Sequence, residues 1–142
     1  MMMAAYLIDT NVVSELTKAV PNANVATFLL ANRDLWLSSV VLHELEYGVR
    51  LLPIGKKRST IERVLAELIQ QYSDRIIPLE KSEALAAAEL RAAARTSGRV
   101  LHFGDALIAG TARAHKLTVA TRNVGDFEGF GVPVCNPWEF HR

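Results

Sequence analysis

Four acidic residues stand beside residues that suit a phosphate-cutting site. Asp9 ends the apolar run Tyr6-Leu7-Ile8 and opens "DTN" with Thr10 and Asn11. Glu44 lies in "SSVVLHELEYG", Asp105 in "HFGDALIAGTA", and Asp126 in "LTVATRNVGDF", which also carries Thr121 and Asn123. Burying an ionised carboxylate is costly unless it is paired. Several carboxylates at one place repel one another and raise at least one pKa. A hard divalent cation relieves both costs. Mg²⁺ takes one or two carboxylates, keeps several waters and leaves room for phosphate oxygens. It also sharpens a water into a nucleophile and neutralises charge developing on a phosphodiester.

Each acid has an ordinary reading beside the chemical one. Asp9 suits a turn, or the cap of a short helix beginning at Thr10 or Asn11. Asp105 opens a helical pattern and suits an N-cap. Glu46 has Arg50 four residues on, an exposed pair worth about 0.3–0.5 kcal/mol, and is assigned to the surface. Glu44 is surrounded at helical spacing by Val40, Val41, Leu45 and Gly48, and is assigned to the site. Asp126 suits a loop. His43 and His102 flank the acids but read as packed or solvated.

Other chemistries fit less well. "HELEY" lacks the second histidine of a zinc-protease helix. "DTN" lacks the second aspartate used by phosphatases of the haloacid dehalogenase type, and no Gly-rich nucleotide loop occurs. Cys135, in "VCNPW", has no evident base beside it and reads as a small buried hydrophobe.

The elements that must position these residues alternate along the chain. Strands are expected over residues 4–8, 35–39, 75–79, 117–121 and 132–135. Helices are expected from Asn22 to Arg33, Val40 to Leu52, Lys56 to Gln71, Ser82 to Thr96 and Asp105 to His115, with Ser38 or Ser39 capping the second. Strands separated by helices imply βαβ units and a parallel sheet covered on both faces. Ligands then bind beyond the carboxyl ends of the strands, near a topological switch point. Asp9 belongs at that edge if the first strand is central.

With 142 residues, half of them hydrophobic, the chain suits one domain over residues 1–142, with an ordered core at 5–138. The net charge of +1 neither demands nor excludes nucleic acid, since a local basic groove is compatible with it. One cysteine allows no internal disulfide, and a reducing cytoplasm is the expected setting. "MMMAAYLI" is too short for a signal sequence. No apolar run reaches the roughly 18 residues that span a bilayer, so no membrane association is expected. The three leading methionines leave three candidate starts.

Taken together, "LIDTNVVSE" (7–15), "LSSVVLHELEYGV" (37–49), "GDALIAGTARAHKLTVATRN" (104–123) and "NPW" (136–138) resemble the PIN domain. In particular they resemble the VapC-type toxin ribonucleases, FitB-like subgroup. The resemblance implies a PIN-like parallel sheet flanked by helices, with acids clustered at the strand ends. It carries Asp9, Glu44 and Asp105 over as the Mg²⁺ or Mn²⁺ ligands. Thr10, Asn11 and Thr121 match positions that orient ligands, substrate or water. Asn123 stands where many members carry a fourth aspartate; either Asp126 supplies the missing charge or a second metal ion binds weakly.

The resemblance further implies a metal-dependent endoribonuclease acting on RNA. It also implies a homodimer and a small cognate antitoxin of the VapB or FitA type. Toxin and antitoxin would form a hetero-oligomer that reaches DNA only through the antitoxin. Arg91, Arg95 and Arg99, spaced by four, are candidates for holding the RNA backbone, with Lys56, Lys57, Arg58, Arg113 and Arg122. Tyr47 and Trp36 are candidates for the dimer contact. The Asn at position 123 also supports an alternative: a PIN module of little or no activity, serving as dimeric partner of a DNA-binding antitoxin.

Overall fold

The apolar run before Asp9 forms β1 (Tyr6–Ile8), in which Leu7 and Ile8 are completely buried. A computed structural model describes residues 4–141, so the choice among the three methionines lies outside the described residues. The remaining strands are β2 (Leu35–Ser38), β3 (Ile76–Ile77), β4 (Thr118–Ala120) and β5 (Val134–Cys135). All pairings are parallel, and the sheet order is β3-β2-β1-β4-β5. Strand β1 is therefore central. Its neighbours β2 and β4 come from chain segments running to opposite sides of it, so the switch point lies at its carboxyl end.

Six helices connect and cover the sheet: α1 (Thr10–Glu15), α2 (Ala23–Ala31), α3 (Ser39–Arg50), α4 (Lys56–Gln71), α5 (Lys81–Thr96) and α6 (Phe103–His115). The steps β1 to β2 and β2 to β3 run one way across the sheet, and β3 to β4 runs back past β1. Right-handed crossovers then place α1–α4 and α5–α6 on opposite faces. Both faces of β1 are thus shielded from water, which explains its unbroken apolar sequence. Each fully buried side chain of this type contributes about 1.5–3 kcal/mol.

The caps show why the helices start where they do. Asn22 Oδ1 accepts the backbone N–H of Asn24 and of Val25 at the head of α2. Ser38, not Ser39, caps α3, its hydroxyl accepting Val41 N–H at 3.3 Å. Ser39 instead accepts Leu79 N–H at 3.0 Å and ties down the chain after β3. Helix α6 begins at Phe103, with His102 as its N-cap. Asp105 is therefore in the first turn and not the cap, a correction to the expected start.

Two expected strands shrink to two residues, β3 and β5. Pro78 follows β3 directly and Pro133 precedes β5, and proline has no N–H for the ladder. The expected Arg91, Arg95 and Arg99 stripe is also broken. Helix α5 ends at Thr96, Gly98 takes a left-handed φ of 75°, and the Arg99 guanidinium turns to the Glu128 carbonyl and the Phe130 ring. Cys135 is half-buried, and burial pushes its thiol up to about 11.

Helices α5 and α6 make the most extensive helix contact in the fold. At one end, Glu83 is buried and accepts from Glu80 N–H and the Ser82 hydroxyl, while His115 Nε2 lies 2.8 Å from its Oε2. Further along, Gly110 lies against Ala87, where an added Cβ would come within 2.4 Å of the Ala87 backbone nitrogen. Gly110→Ala is expected to force the helices apart and destabilise the chain by about 1–3 kcal/mol. A denaturant-unfolding midpoint unchanged in that variant would show that the helices can move apart freely.

Candidate functional site

Asp9 follows β1, and its backbone N–H continues the ladder to Ala120 O at 3.0 Å. The strand then breaks into α1, with Asp9 as N-cap. Its Oδ1 accepts Thr10 N–H at 2.8 Å. Its Oδ2 accepts the Thr121 hydroxyl at 2.8 Å and Asn11 Nδ2 at 3.3 Å. The capping reading and the site reading of Asp9 thus describe one geometry: a cap uses one oxygen and leaves the carboxylate at the sheet edge.

Thr121 is wholly buried. Its hydroxyl donates to Asp9 and accepts from Asn11 Nδ2 and Asn123 N–H, both at 3.1 Å. Asn11 also accepts Arg122 N–H through Oδ1 at 3.1 Å. Three residues after β1 and three after β4 are therefore stitched together across the switch point.

The other acids arrive on two helices. Glu44 comes from the middle of α3 and Asp105 from the first turn of α6. A Cβ added at Gly104 would sit 3.9 Å from Glu44 Oε1, so the first turn of α6 packs directly on Glu44. Glu46, two residues from Glu44, is exposed and paired with Arg50 at 2.8 Å. Asp9, Thr10, Asn11, Glu44, Asp105 and Asn123 line one open cleft of about 410 Å³, rimmed by Lys18, Arg122 and Trp138. Asp126 is exposed in a short 3-10 turn (Val124–Asp126) just outside the lining. Its charge still bears on both Asp9 and Asp105. His43 and His102 are exposed and outside the lining.

The carboxyl groups disfavour their charged forms. Asp9 is raised, chiefly by burial and further by Asp126, against the three hydrogen bonds it accepts. Glu44 is raised by burial and then by Asp9 and Asp105. Asp105 is pushed up to about 6 by burial, Asp126 and Asp9. Glu44 Oε1 and the Thr10 hydroxyl are buried without a hydrogen-bond partner among the described residues. The Thr10 hydroxyl eases the Glu44 charge through proximity, without hydrogen-bond geometry between them.

This donor set fits a hard divalent cation. Crowded, partly desolvated carboxylates and an orphaned buried carboxylate oxygen are what such an ion would relieve. Among the described residues no group of three His, Cys, Asp or Glu side chains is placed to hold a metal ion between them. Mg²⁺ takes only one or two carboxylates and keeps several waters, so carboxylates of this cleft suit it without a three-residue group.

The sequence brought forward the acids but not the rim. Lys18, Arg122 and Trp138 border the cleft, and only Arg122 carried a signal, as one of several scattered cations. Trp138 lay within the quoted "NPW" without a role. Buried Glu15, held by Lys18 at 2.8 Å and Asn22 N–H at 2.9 Å, also escaped notice. Its short-range partners are visible only once α1 has turned.

The raised Asp105 carboxyl sets a sign for stability. The folded chain holds this proton more tightly than the unfolded chain, whose value is near 3.8. Its contribution is therefore fully present below pH 3.8 and is lost as pH rises through about 6. In EDTA, Asp105→Asn is expected to melt higher than the parent at pH 7.5, with the gap closing toward pH 4. Thermal melts at the two pH values test this; a variant less stable at pH 7.5 would show that burial and the neighbouring acids do not penalise the Asp105 charge.

The match to known proteins covers almost the whole chain. The family model for the PIN domain matches residues 6–129. Toxin FitB of Neisseria gonorrhoeae is 40% identical over 135 residues, 93% of this chain and 97% of that protein. VapC ribonuclease Y4jK of Sinorhizobium fredii is 38% identical over 136 residues, 94% and 97% of the two chains. A solved structure of FitAB bound to an IR36 DNA fragment superposes with a TM-score of 0.88 at 36% identity, covering 96% of this chain and 98% of that one. The parallel sheet, the switch-point cleft and these full-length likenesses together establish that this chain belongs to the PIN-domain family.

Proposed function

We propose that this chain is the toxin of a toxin–antitoxin pair and hydrolyses RNA phosphodiester bonds with Mg²⁺ or Mn²⁺. The observation that carries the reading is the convergence of Asp9, Glu44 and Asp105 on one cleft at the switch point. The names of relatives support it, since one is called a toxin and another a ribonuclease. Asp9, Glu44 and Asp105 would hold the ion. Bound there, it would lower the pKa of a water and stabilise charge on the departing oxygen.

The chain's own residues supply the rest. The Thr10 amide, Asn11 and Thr121 fix the Asp9 carboxylate in one orientation. The buried Thr10 hydroxyl, without a hydrogen-bond partner among the described residues, would orient a water beside Glu44. Asn123 lines the cleft as a neutral oxygen donor, and Asp126 adds negative charge from outside it. Water oxygen bonds to phosphorus while the bond to the ribose 3′ oxygen breaks, and that oxygen takes up a proton. No histidine of the described cleft lining is needed as general base.

The solved complex of FitAB on a DNA fragment supports a partner chain and an assembly on DNA; we assign the partner as a small antitoxin and the DNA contact to it. The chain is assigned to the cytoplasm as a homodimer and as part of a toxin–antitoxin hetero-oligomer. Among the described residues no helix is long and apolar enough to cross a membrane. A second reading, a weakly active or inactive module partnering a DNA-binding antitoxin, draws on Asn123 facing the cleft in place of an acid.

Purified antitoxin-free protein incubated with total cellular RNA separates the two. Discrete fragments are expected with Mg²⁺ or Mn²⁺ and none with EDTA. Asp9→Asn is expected to slow cleavage on the order of 10²-fold or more, the scale lost with one preorganised transition-state group. Absence of cleavage under either metal, with antitoxin binding intact, would favour the module.

A further inference from the structure

The acid cleft has to receive a polyanion, which its own charge repels. What answers that repulsion lies on the rim. Arg122 is exposed, lines the cleft, and forms no ion pair among the described residues. Its guanidinium carbon lies 5.1 Å from the centre of the Trp138 ring. Trp138 lines the same cleft and is half-buried.

Both residues are held by their backbones, leaving their side chains free to act. Arg122 N–H is fixed by Asn11 Oδ1 at 3.1 Å. Trp138 N–H donates to Asn136 Oδ1 at 2.9 Å, and its carbonyl accepts Asn24 Nδ2 at 2.7 Å. The Asn11 side chain that fixes Arg122 also bonds Asp9. The backbone that carries the rim cation is therefore anchored beside the first acid by one side chain.

Resting on the ribonuclease reading, we infer that Arg122 and Trp138 form a nucleotide subsite for single-stranded RNA beside the acid cleft. The guanidinium swings from the indole to a backbone phosphate, and the vacated indole face stacks on the neighbouring base. A guanidinium matches phosphate geometry with two parallel donors. An indole binds any base through its π-face, and such stacking recurs in single-strand recognition. Because Asn11 anchors the Arg122 backbone beside Asp9, a phosphate gripped within reach of that side chain sets which neighbouring linkage reaches the acids. Arg122 and Trp138 are thus positioning residues that choose the cut site along the strand.

Intrinsic fluorescence tests this, since Trp36 and Trp138 are the two tryptophans. Trp36→Phe leaves Trp138 as sole reporter, and Asp105→Asn with EDTA prevents cleavage during titration. A short mixed-sequence RNA is expected to quench Trp138, and an abasic oligomer of equal length is not. Arg122→Ala is expected to weaken RNA binding about fivefold or more. It should also reduce the slope of log K against log salt by about 0.7, the value for one lost phosphate contact on a single strand. Arg122→Lys should restore the slope but not the full affinity. In the cleaving chain, Arg122→Ala should raise KM more than it lowers kcat and shift the mapped cut positions.

RNA binding without quenching, equal quenching by the abasic oligomer, or an unchanged salt slope would each overturn the subsite. Quenching by RNA in a chain that cuts no RNA would uphold the subsite and reject the nuclease. Cleavage without quenching would do the reverse.

Discussion

The carboxylate of Asp9 is the constraint around which this fold is arranged. It sits at the end of the central strand, buried, where an uncompensated charge would cost several kcal/mol. Three donors hold it: the Thr10 amide, the Asn11 amide and the Thr121 hydroxyl. The first begins α1 and so ends β1. The last comes from just after β4 and ties the two sides of the switch point together. Strand termination, helix initiation and closure of the crevice are one hydrogen-bonded event.

Those donors orient Asp9 without satisfying its neighbours. Glu44 is pushed up by burial, Asp9 and Asp105, and Asp105 by burial, Asp126 and Asp9, so the cleft carries stored repulsion. Helix α6 packs closely on α5, where Gly110 meets Ala87, and its first turn lies against Glu44 at Gly104. Stability is given up where binding is to occur, the trade expected of a functional site. The rim opposes the interior: Arg122, and Lys18 paired with Glu15, stand at the mouth of a cleft lined by acids.

Much of this was legible because the signals were local. An apolar run ending in "DTN" placed the acid at a strand end. Glu44 and Glu46 could be separated because only Glu46 has a cation four residues on, and the two do point to different environments. Other features depended on tertiary closure. The start of α6 moved ahead of Asp105 because His102, a weak capping residue, holds the N-cap position. Prolines cut β3 and β5 short. Trp138 lies sixteen residues beyond Arg122, and the C-terminal turn brings it to the rim. Asn11 appeared as a ligand-orienting residue, but its second bond, to Arg122 N–H, needed the structure.

Paramagnetic broadening by Mn²⁺ in an amide NMR spectrum tests the central claim most directly, because it locates a bound cation without requiring activity. At substoichiometric Mn²⁺, signals of Asp9, Thr10, Glu44, Asp105 and Thr121 should vanish first and together. Broadening centred instead on surface acids such as Glu46, Glu62 and Glu67, or none at all, would contradict the account.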